Sequence, residues 1–285
     1  MHPSTAADVS RTRLALALGA GGTRGWAHAG VLEVLAAASV PIDLIVGASA
    51  GALIGALYAA WPDPAFVRRL ALGLTPTDFL EWFLNDLRIS ASAGRMGRRL
   101  WNACGRLDFD ELKIPLAVTA LDLASGRQAV IRSGNVARAV EASIRPPVVT
   151  RPVRVSGLDL VDGGLRDPVP VAVARKLGAT LVIAVPVGEL IVLPRPLRPL
   201  SARLGAAYRA RSSRPGDLWS QVAFMSELLT RDRSARARAD VTIRPDLRGV
   251  SGMWPWHIQR AYRRGRAAAR AALPEIERLL AARAA

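Results

Sequence analysis

Gly47-Ala48-Ser49-Ala50-Gly51 is a G-x-S-x-G pattern in which every residue is small. A strand entering such a turn and a helix leaving it would strain the serine backbone, expose its hydroxyl and set it at the positive end of the helix. The chemistry on offer is nucleophilic attack by an activated hydroxyl on an acyl carbonyl. The same residues also suit a buried helix start with no chemistry. Nearby, Gly19-Ala20-Gly21-Gly22-Thr23-Arg24-Gly25 offers closely spaced backbone amides. Amides aimed at a developing oxyanion contribute about 3 to 4 kcal/mol each where they have been removed. As a nucleotide loop this run fails. G-x-G-x-x-G starting at Gly19 meets Arg24 at its third glycine, and no Gly-Lys-Ser/Thr follows.

A serine nucleophile needs a proton acceptor. The chain has three histidines, of which His28 and His257 fall in sequence that reads as ordered. Ser49, Asp162 and His257 follow the chain order of an α/β-hydrolase triad, so that arrangement stands as an alternative. Spacing opposes it, because in that fold several strands separate the oxyanion loop from the elbow, whereas one helix and one strand separate them here. His28, one turn beyond the glycine loop, reads as a packing or hydrogen-bonding residue. Asp162, ahead of Gly163-Gly164 at a strand end, is the candidate to contact Ser49 directly.

The elements that must hold these residues are legible. Leu14–Leu18 is a short apolar run suited to a buried strand, and Trp26–Ala37 has helical apolar spacing. Ile42–Val46 reads as a second strand and Ala52–Ala60 as a second helix. Leu44–Trp61 is eighteen residues without a charge, the minimum for a membrane span, yet its glycine-rich middle favours a strand, tight turn and helix. A βαβα opening implies a parallel sheet, with ligands at the carboxyl ends of its strands. Residues 63–110 read as a cap-like insertion carrying Phe79, Trp82, Phe83, Leu84, Leu87 and Trp101. Further strands are expected at Ile114–Ala120, Gln128–Arg132, Val153–Val161 and Leu181–Val187, with helices at Val136–Ser143 and around Val169–Leu177. The reading is one domain, 1–285: a core of about 14–188, then a variable basic segment and helical tail over 189–285. Pro274 should break or kink the tail helix.

Composition bounds partners more than chemistry. Every basic residue except Lys113 and Lys176 is arginine, and the net charge is +16. That surface favours anionic partners, a membrane face among them, although an arginine-biased composition produces the same balance. No basic run is interleaved with aromatics as a nucleic-acid groove requires, so nucleic acid is not an expected partner, the Arg231–Arg238 stretch included. Cys104 stands alone, leaving neither a disulfide nor a thiolate metal cluster. The expectation is a cytoplasmic protein that touches the inner membrane face, with no secretory leader.

The glycine loop with Arg24-Gly25, the Gly47–Gly51 elbow and Asp162-Gly163-Gly164 together resemble the patatin-like phospholipase family. The likeness extends to Trp26–Leu32, to Leu121-Asp122 with Ser125-Gly126, and to Leu177-Gly178-Ala179. It covers about residues 14–60 and 113–188. The resemblance implies a three-layer α/β/α fold with a mainly parallel central sheet. It also implies a Ser49–Asp162 dyad in place of a triad, and hydrolysis of lipid acyl esters with no metal or other cofactor. On it, Gly21 and Gly22, with Thr23, match the oxyanion hole, while Arg24, Gly25, Gly47, Gly51, Gly163 and Gly164 support loop and elbow. Two positions depart: Ala20 stands where the family commonly has glycine, and Arg145 where a small residue is usual, which would narrow the pocket. A patatin-fold binding or regulatory protein with negligible turnover remains the alternative from a different class.

Overall fold

The computed structural model describes residues 13–73, 75–85, 87–90, 92, 94–147, 150–188, 237–252 and 255–284. Outside them lie Pro194, Pro196, Pro199, most of Arg231–Arg238, Met253 and Trp254, and the side chains of Phe79 and Phe83 are likewise undescribed.

The centre is built from strands too apolar to face water on either side. β1 (Leu14–Leu18) is wholly buried and lies between β2 (Leu44–Ala48) and β7 (Leu181–Val185), parallel to both. Its alternate residues serve two layers. Leu14, Leu16 and Leu18 join one core with α1 (Trp26–Ala37) and α2 (Ala50–Ala60), while Ala15 and Ala17 join another with α7 (Val171–Lys176). The result is three layers, helices on both faces of a mainly parallel sheet. The sheet order is β5-β6-β3-β2-β1-β7-β8, with β4 (Gln128–Ile131) added on β3 (Leu116–Asp122) and β8 (Val241–Thr242) at the far edge. β2 begins at Leu44, two residues later than its apolar run, because Asp43 is engaged instead in accepting the Leu14 N–H.

The strand signals over Val153–Val161 resolve into a hairpin of β5 (Val153–Val155) and β6 (Leu158–Asp162). Ser156 and Gly157 both have positive φ, 48° and 82°, the backbone of a tight two-residue turn. This reversal decides the site. β2 pairs with Leu116–Thr119 of β3 in parallel, and β6 pairs with Ala120–Asp122 antiparallel. β4 occupies the opposite edge across Val118–Leu121. β2 and β6 therefore share one edge of β3 and run toward each other, ending at Thr119 and Ala120.

Residues 63–110 form α3 (Pro64–Leu72), α4 (Pro76–Leu84) and α5 (Gly94–Leu100), followed by a wide turn at Trp101–Gly105. Trp82 and Leu87 are buried, whereas Leu84, the last residue of α4, is 75% exposed. Among the described residues no helix is long and apolar enough to cross a membrane, and Leu44–Trp61 folds as β2, the elbow and α2.

α6 (Val136–Ser143) packs on β3, β5 and β6. α8 (Ile258–Ala284) runs unbroken through Pro274. Pro274 lies on the exposed side, where the Arg270 carbonyl that loses its helical partner can be hydrated. α8 crosses α1 at two facing glycines. A Cβ at Gly265 would overlap the Ala27 carbonyl oxygen, and one at Gly30 the Tyr262 carbonyl oxygen. Arg266 adds an ion pair to Glu33 at 3.2 Å.

Alanine for glycine inside a helix ordinarily stabilises by about 1 kcal/mol. Gly265→Ala should reverse that sign and lower the unfolding free energy by about 1–3 kcal/mol, as overpacked contacts do. Urea unfolding measures it, and a stabilised variant would show that the two helices are not in this contact.

Candidate active site

Ser49 sits between β2 and α2 with φ 53° and ψ −120°, a backbone that non-glycine residues avoid and that costs about 1–3 kcal/mol. Its neighbours must be small: a Cβ at Gly47 would crowd Ala52, and one at Gly51 would enter the Leu18 carbonyl. A hydrogen-bond relay holds the strained residue. Ser49 N–H donates to Ser143 Oγ at 2.8 Å, and the Ser143 hydroxyl donates to the Thr119 carbonyl at 2.7 Å. Ser143 escaped the sequence reading. Its only signal is a serine ending the apolar face of α6.

Asp162 closes β6, so the end-to-end arrangement of β2 and β6 brings it to Ser49. Ser49 Oγ donates to Asp162 Oδ2 at 2.6 Å, and Asp162 Oδ1 accepts the Gly164 N–H at 2.7 Å. Asp162 N–H in turn donates to the Arg145 carbonyl at 2.8 Å. Gly163 lies on the Thr119 carbonyl and Gly164 on the Ala20 methyl, which leaves room for no larger residue at either place. Ala20 is thus a packing surface for the Asp-Gly-Gly turn, and its own amide is donated to Pro168 O.

The glycine loop curls into a single 3-10 turn, Gly22–Gly25, at the foot of α1. Gly22 has φ 55° and packs on Gly252, and Gly25 packs on Ala50 beside Ser49. Gly21 and Gly22 border the same cavity as Ser49 and Ala50. Thr23 corrects the expectation. Its amide donates to the Gly252 carbonyl at 2.9 Å, so that N–H points away from an incoming carbonyl oxygen. Thr23 Oγ1 donates to Ser251 O at 2.8 Å and Arg24 Nε to Val250 O at 2.7 Å. Three successive carbonyls, 250 to 252, thereby clamp the loop from the C-terminal part of the chain.

The two described histidines, His28 and His257, are absent from this cavity's lining. His28 is fully buried with Nε2 2.8 Å from the Gly19 carbonyl. Burial pushes its pKa down to about 4 against the opposing pull of that carbonyl, so it is a neutral donor fixing the end of β1. His257 lies in the short Pro255–His257 turn. Both Asp162 oxygens are occupied by Ser49 and Gly164, which is not the carboxylate–imidazole geometry of a triad.

A family model of patatin-like phospholipases matches residues 16–175. The chain belongs to the patatin-like phospholipase family. An uncharacterized NTE family protein of Mycobacterium tuberculosis (strain ATCC 25618 / H37Rv) is 37% identical over 180 residues, 62% of this chain and 49% of its own. Lysophospholipase NTE1 of Coccidioides immitis (strain RS) is 33% identical over 180 residues, 61% of this chain and 11% of its own. The chain thus spans about half the length of the mycobacterial relative. Among solved structures, VipD from Legionella pneumophila superposes with a TM-score of 0.55 at 14% identity, covering 93% of this chain and 67% of that one. That likeness concerns the fold. The matched region carries Ser49, Asp162 and the glycine loop, and ends before the 250–252 clamp.

In this patatin-like chain the site opens into a cavity of about 510 Å³. Leu53, Ile144 and Pro146 line it from the core, and Trp82, Leu87 and Met96 from the 63–110 region. Arg145 does not narrow it. Its side chain turns away toward Glu141, 3.9 Å distant, while Ile144 and Pro146 face the cavity. This apolar setting raises the Asp162 pKa to about 6; desolvation is the largest cause, opposed by the bonds from Ser49 and Gly164.

A carboxyl that titrates near 6 when folded and near 3.8 when unfolded binds its proton more tightly in the folded chain between those values. Stability from this group is therefore present at low pH and lost as pH rises through that window. Asp162→Asn removes the dependence, so its unfolding free energy should gain on the parent by about 3 kcal/mol between about pH 3.5 and 7. A difference that does not vary with pH would mean that Asp162 titrates normally.

Proposed function

We propose that the chain is a lipid acyl hydrolase working through a Ser49–Asp162 dyad and an acyl-enzyme. The observation that carries this reading is the 2.6 Å bond from Ser49 Oγ to Asp162 Oδ2 at the floor of an apolar cavity. In the first step Oγ attacks the ester carbonyl carbon and its proton passes to Asp162 Oδ2. Negative charge developing on the carbonyl oxygen meets the Gly21 and Gly22 amides and the Ala50 N–H at the start of α2. The tetrahedral adduct collapses, the C–O bond to the alcohol breaks, and Asp162 returns the proton to the leaving alkoxide. Water then attacks the acyl-enzyme, gives its proton to Asp162, and the carboxylic acid departs as Ser49 recovers its hydrogen. A carboxyl near 6 is suited to this exchange at neutral pH, where it is mostly ionised yet basic enough to accept. The fungal relatives are lysophospholipases by name, which supports a lipid ester as substrate.

α4, which walls the cavity through Trp82, also carries a surface suited to lipid. Leu80 and Leu84 of α4 are exposed beside buried Trp82, and Trp256, 62% exposed, lies in the turn packed against α4. Arg260 and Arg263 follow in α8, so exposed apolar groups and cations occur together as in interfacial helices. We read this as peripheral contact with an anionic membrane. Binding to anionic vesicles should weaken with salt and fall several-fold in Leu84→Glu; equal binding to neutral vesicles at every salt concentration would overturn it.

Fluorophosphonate labelling and ester turnover test the dyad. Ser49→Ala should abolish both, and Asp162→Asn should reduce turnover by at least about 100-fold, while His257→Ala keeps most of it. Loss in His257→Ala equal to that in Ser49→Ala, with the fold intact, would establish a triad. The acidic limb of the rate profile should fall near pH 6. That value overlaps an ordinary histidine at about 6.5, so the His257 variant is the arm that discriminates. Absent labelling in the parent chain would favour the binding or regulatory reading.

A further inference from the structure

Three groups of Ser49 are held by three different elements. Its carbonyl accepts the Leu53 N–H at 3.1 Å within α2, its hydroxyl donates to Asp162 of β6 at 2.6 Å, and its amide donates to Ser143 Oγ of α6 at 2.8 Å. The first two bonds belong to the elbow and the proposed base. The third ties the backbone of the proposed nucleophile to a separate helix.

The Ser143 hydroxyl suits that task. Its hydrogen goes to the Thr119 carbonyl at 2.7 Å, so a lone pair is what remains for the Ser49 amide. Ser143 and Thr119 are wholly buried, which denies water the place of either partner. Two residues on, the Arg145 carbonyl accepts the Asp162 N–H at 2.8 Å. Residues 143–145 therefore touch the backbone of both members of the proposed dyad, and Ile144 between them lines the cavity. α6 is itself anchored at its start and middle. Asn135 Nδ2 donates to the Gly105 and Leu107 carbonyls at 3.0 and 3.3 Å, and Glu141 Oε1 accepts the Ile89 N–H at 2.5 Å.

We infer that Ser143 is a positioning residue: by holding the Ser49 amide it keeps the strained serine turned so that its hydroxyl stays on Asp162. Ser143 is not among the residues that line the cavity, so it acts through Ser49. A non-glycine residue at φ 53° relaxes toward ordinary backbone when an anchor is lost. A misplacement of about 1 Å in a reacting group can cost on the order of 100-fold in rate. The kinetic consequence rests on the proposed ester hydrolysis; the placement does not.

Ser143→Ala should lower kcat on short acyl esters at least about tenfold with KM within about twofold, and slow fluorophosphonate labelling by a similar factor. Val140→Ala, which removes methyl groups from the core face of the same helix, should destabilise the chain yet leave kcat within about twofold. Should Ser143→Ala lack a cooperative unfolding transition, Ser143→Cys, similar in size but a weaker acceptor, carries the same expectations. A second measurement needs no turnover. The Ser49 hydroxyl holds the Asp162 pKa down, so the Asp162 titration, read from the pH dependence of unfolding with and without Asp162→Asn, should move to higher pH in Ser143→Ala. Arg24, the other charged residue described on the cavity wall, is the same in every variant. An unmoved titration overturns the inference, as does an unchanged kcat in Ser143→Ala or an equal loss of kcat in Val140→Ala. A parent chain that neither labels nor turns over esters refutes the hydrolase reading instead, and the titration then decides by itself whether Ser143 places Ser49.

Discussion

The hydrogen bond between Ser49 and Asp162 exists because two strands meet end to end. β2 and β6 share one edge of β3 and run toward each other, so the last residue of one and the elbow of the other arrive at the same point. Neither side chain could reach across a sheet, and neither strand could slip by one residue without turning its terminal group away. The Ser49 backbone pays for this position with strain, and the relay through Ser143 to Thr119 ties it to β3, the strand that both others pair with. Gly163 lets the Asp162 turn lie directly on Thr119. One strand thus sets the register of both members of the proposed dyad.

Burial then tunes what register has placed. The apolar cavity raises the Asp162 pKa, and the two bonds that carboxylate accepts limit the rise, leaving it near 6. The same physics acts in the opposite direction on His28, where desolvation keeps the imidazole neutral and makes it a structural donor to Gly19. Cys104 shows the third case, a buried thiol pushed up to about 12 and so kept from thiolate chemistry. Among the described titratable groups, Asp162 alone faces the cavity with a serine hydroxyl on its oxygen.

The remainder of the site comes from two places, one of them beyond the family match over residues 16–175. Carbonyls 250 to 252 hold Thr23 and Arg24, and Trp82, Leu87 and Met96 wall the cavity from the 63–110 helices. The family match covers Ser49 and Asp162 and stops short of the clamp.

Local patterns were enough for the strongest elements. The apolar run Leu14–Leu18, the helical spacing of Trp26–Ala37 and the small-residue turn around Ser49 each reflect constraints met within a few residues, and each stands where the sequence puts it. Asp162 was legible as a strand-end residue followed by glycines, because only glycine fits against Thr119 and Ala20. The hairpin at Ser156-Gly157, the unbroken course of α8 through Pro274, and the turn of Arg145 away from the cavity were not legible, since each depends on what lies beside it in space. The clamp is the clearest case. Val250, Ser251 and Gly252 act through backbone carbonyls, which every residue possesses, so no side-chain pattern could announce them, and the Thr23 amide was lost to them unseen. Residue types marked out the proposed nucleophile, its proposed partner and the strands that lead to them; tertiary structure alone decided which backbone groups were spent and which remained to line the candidate site.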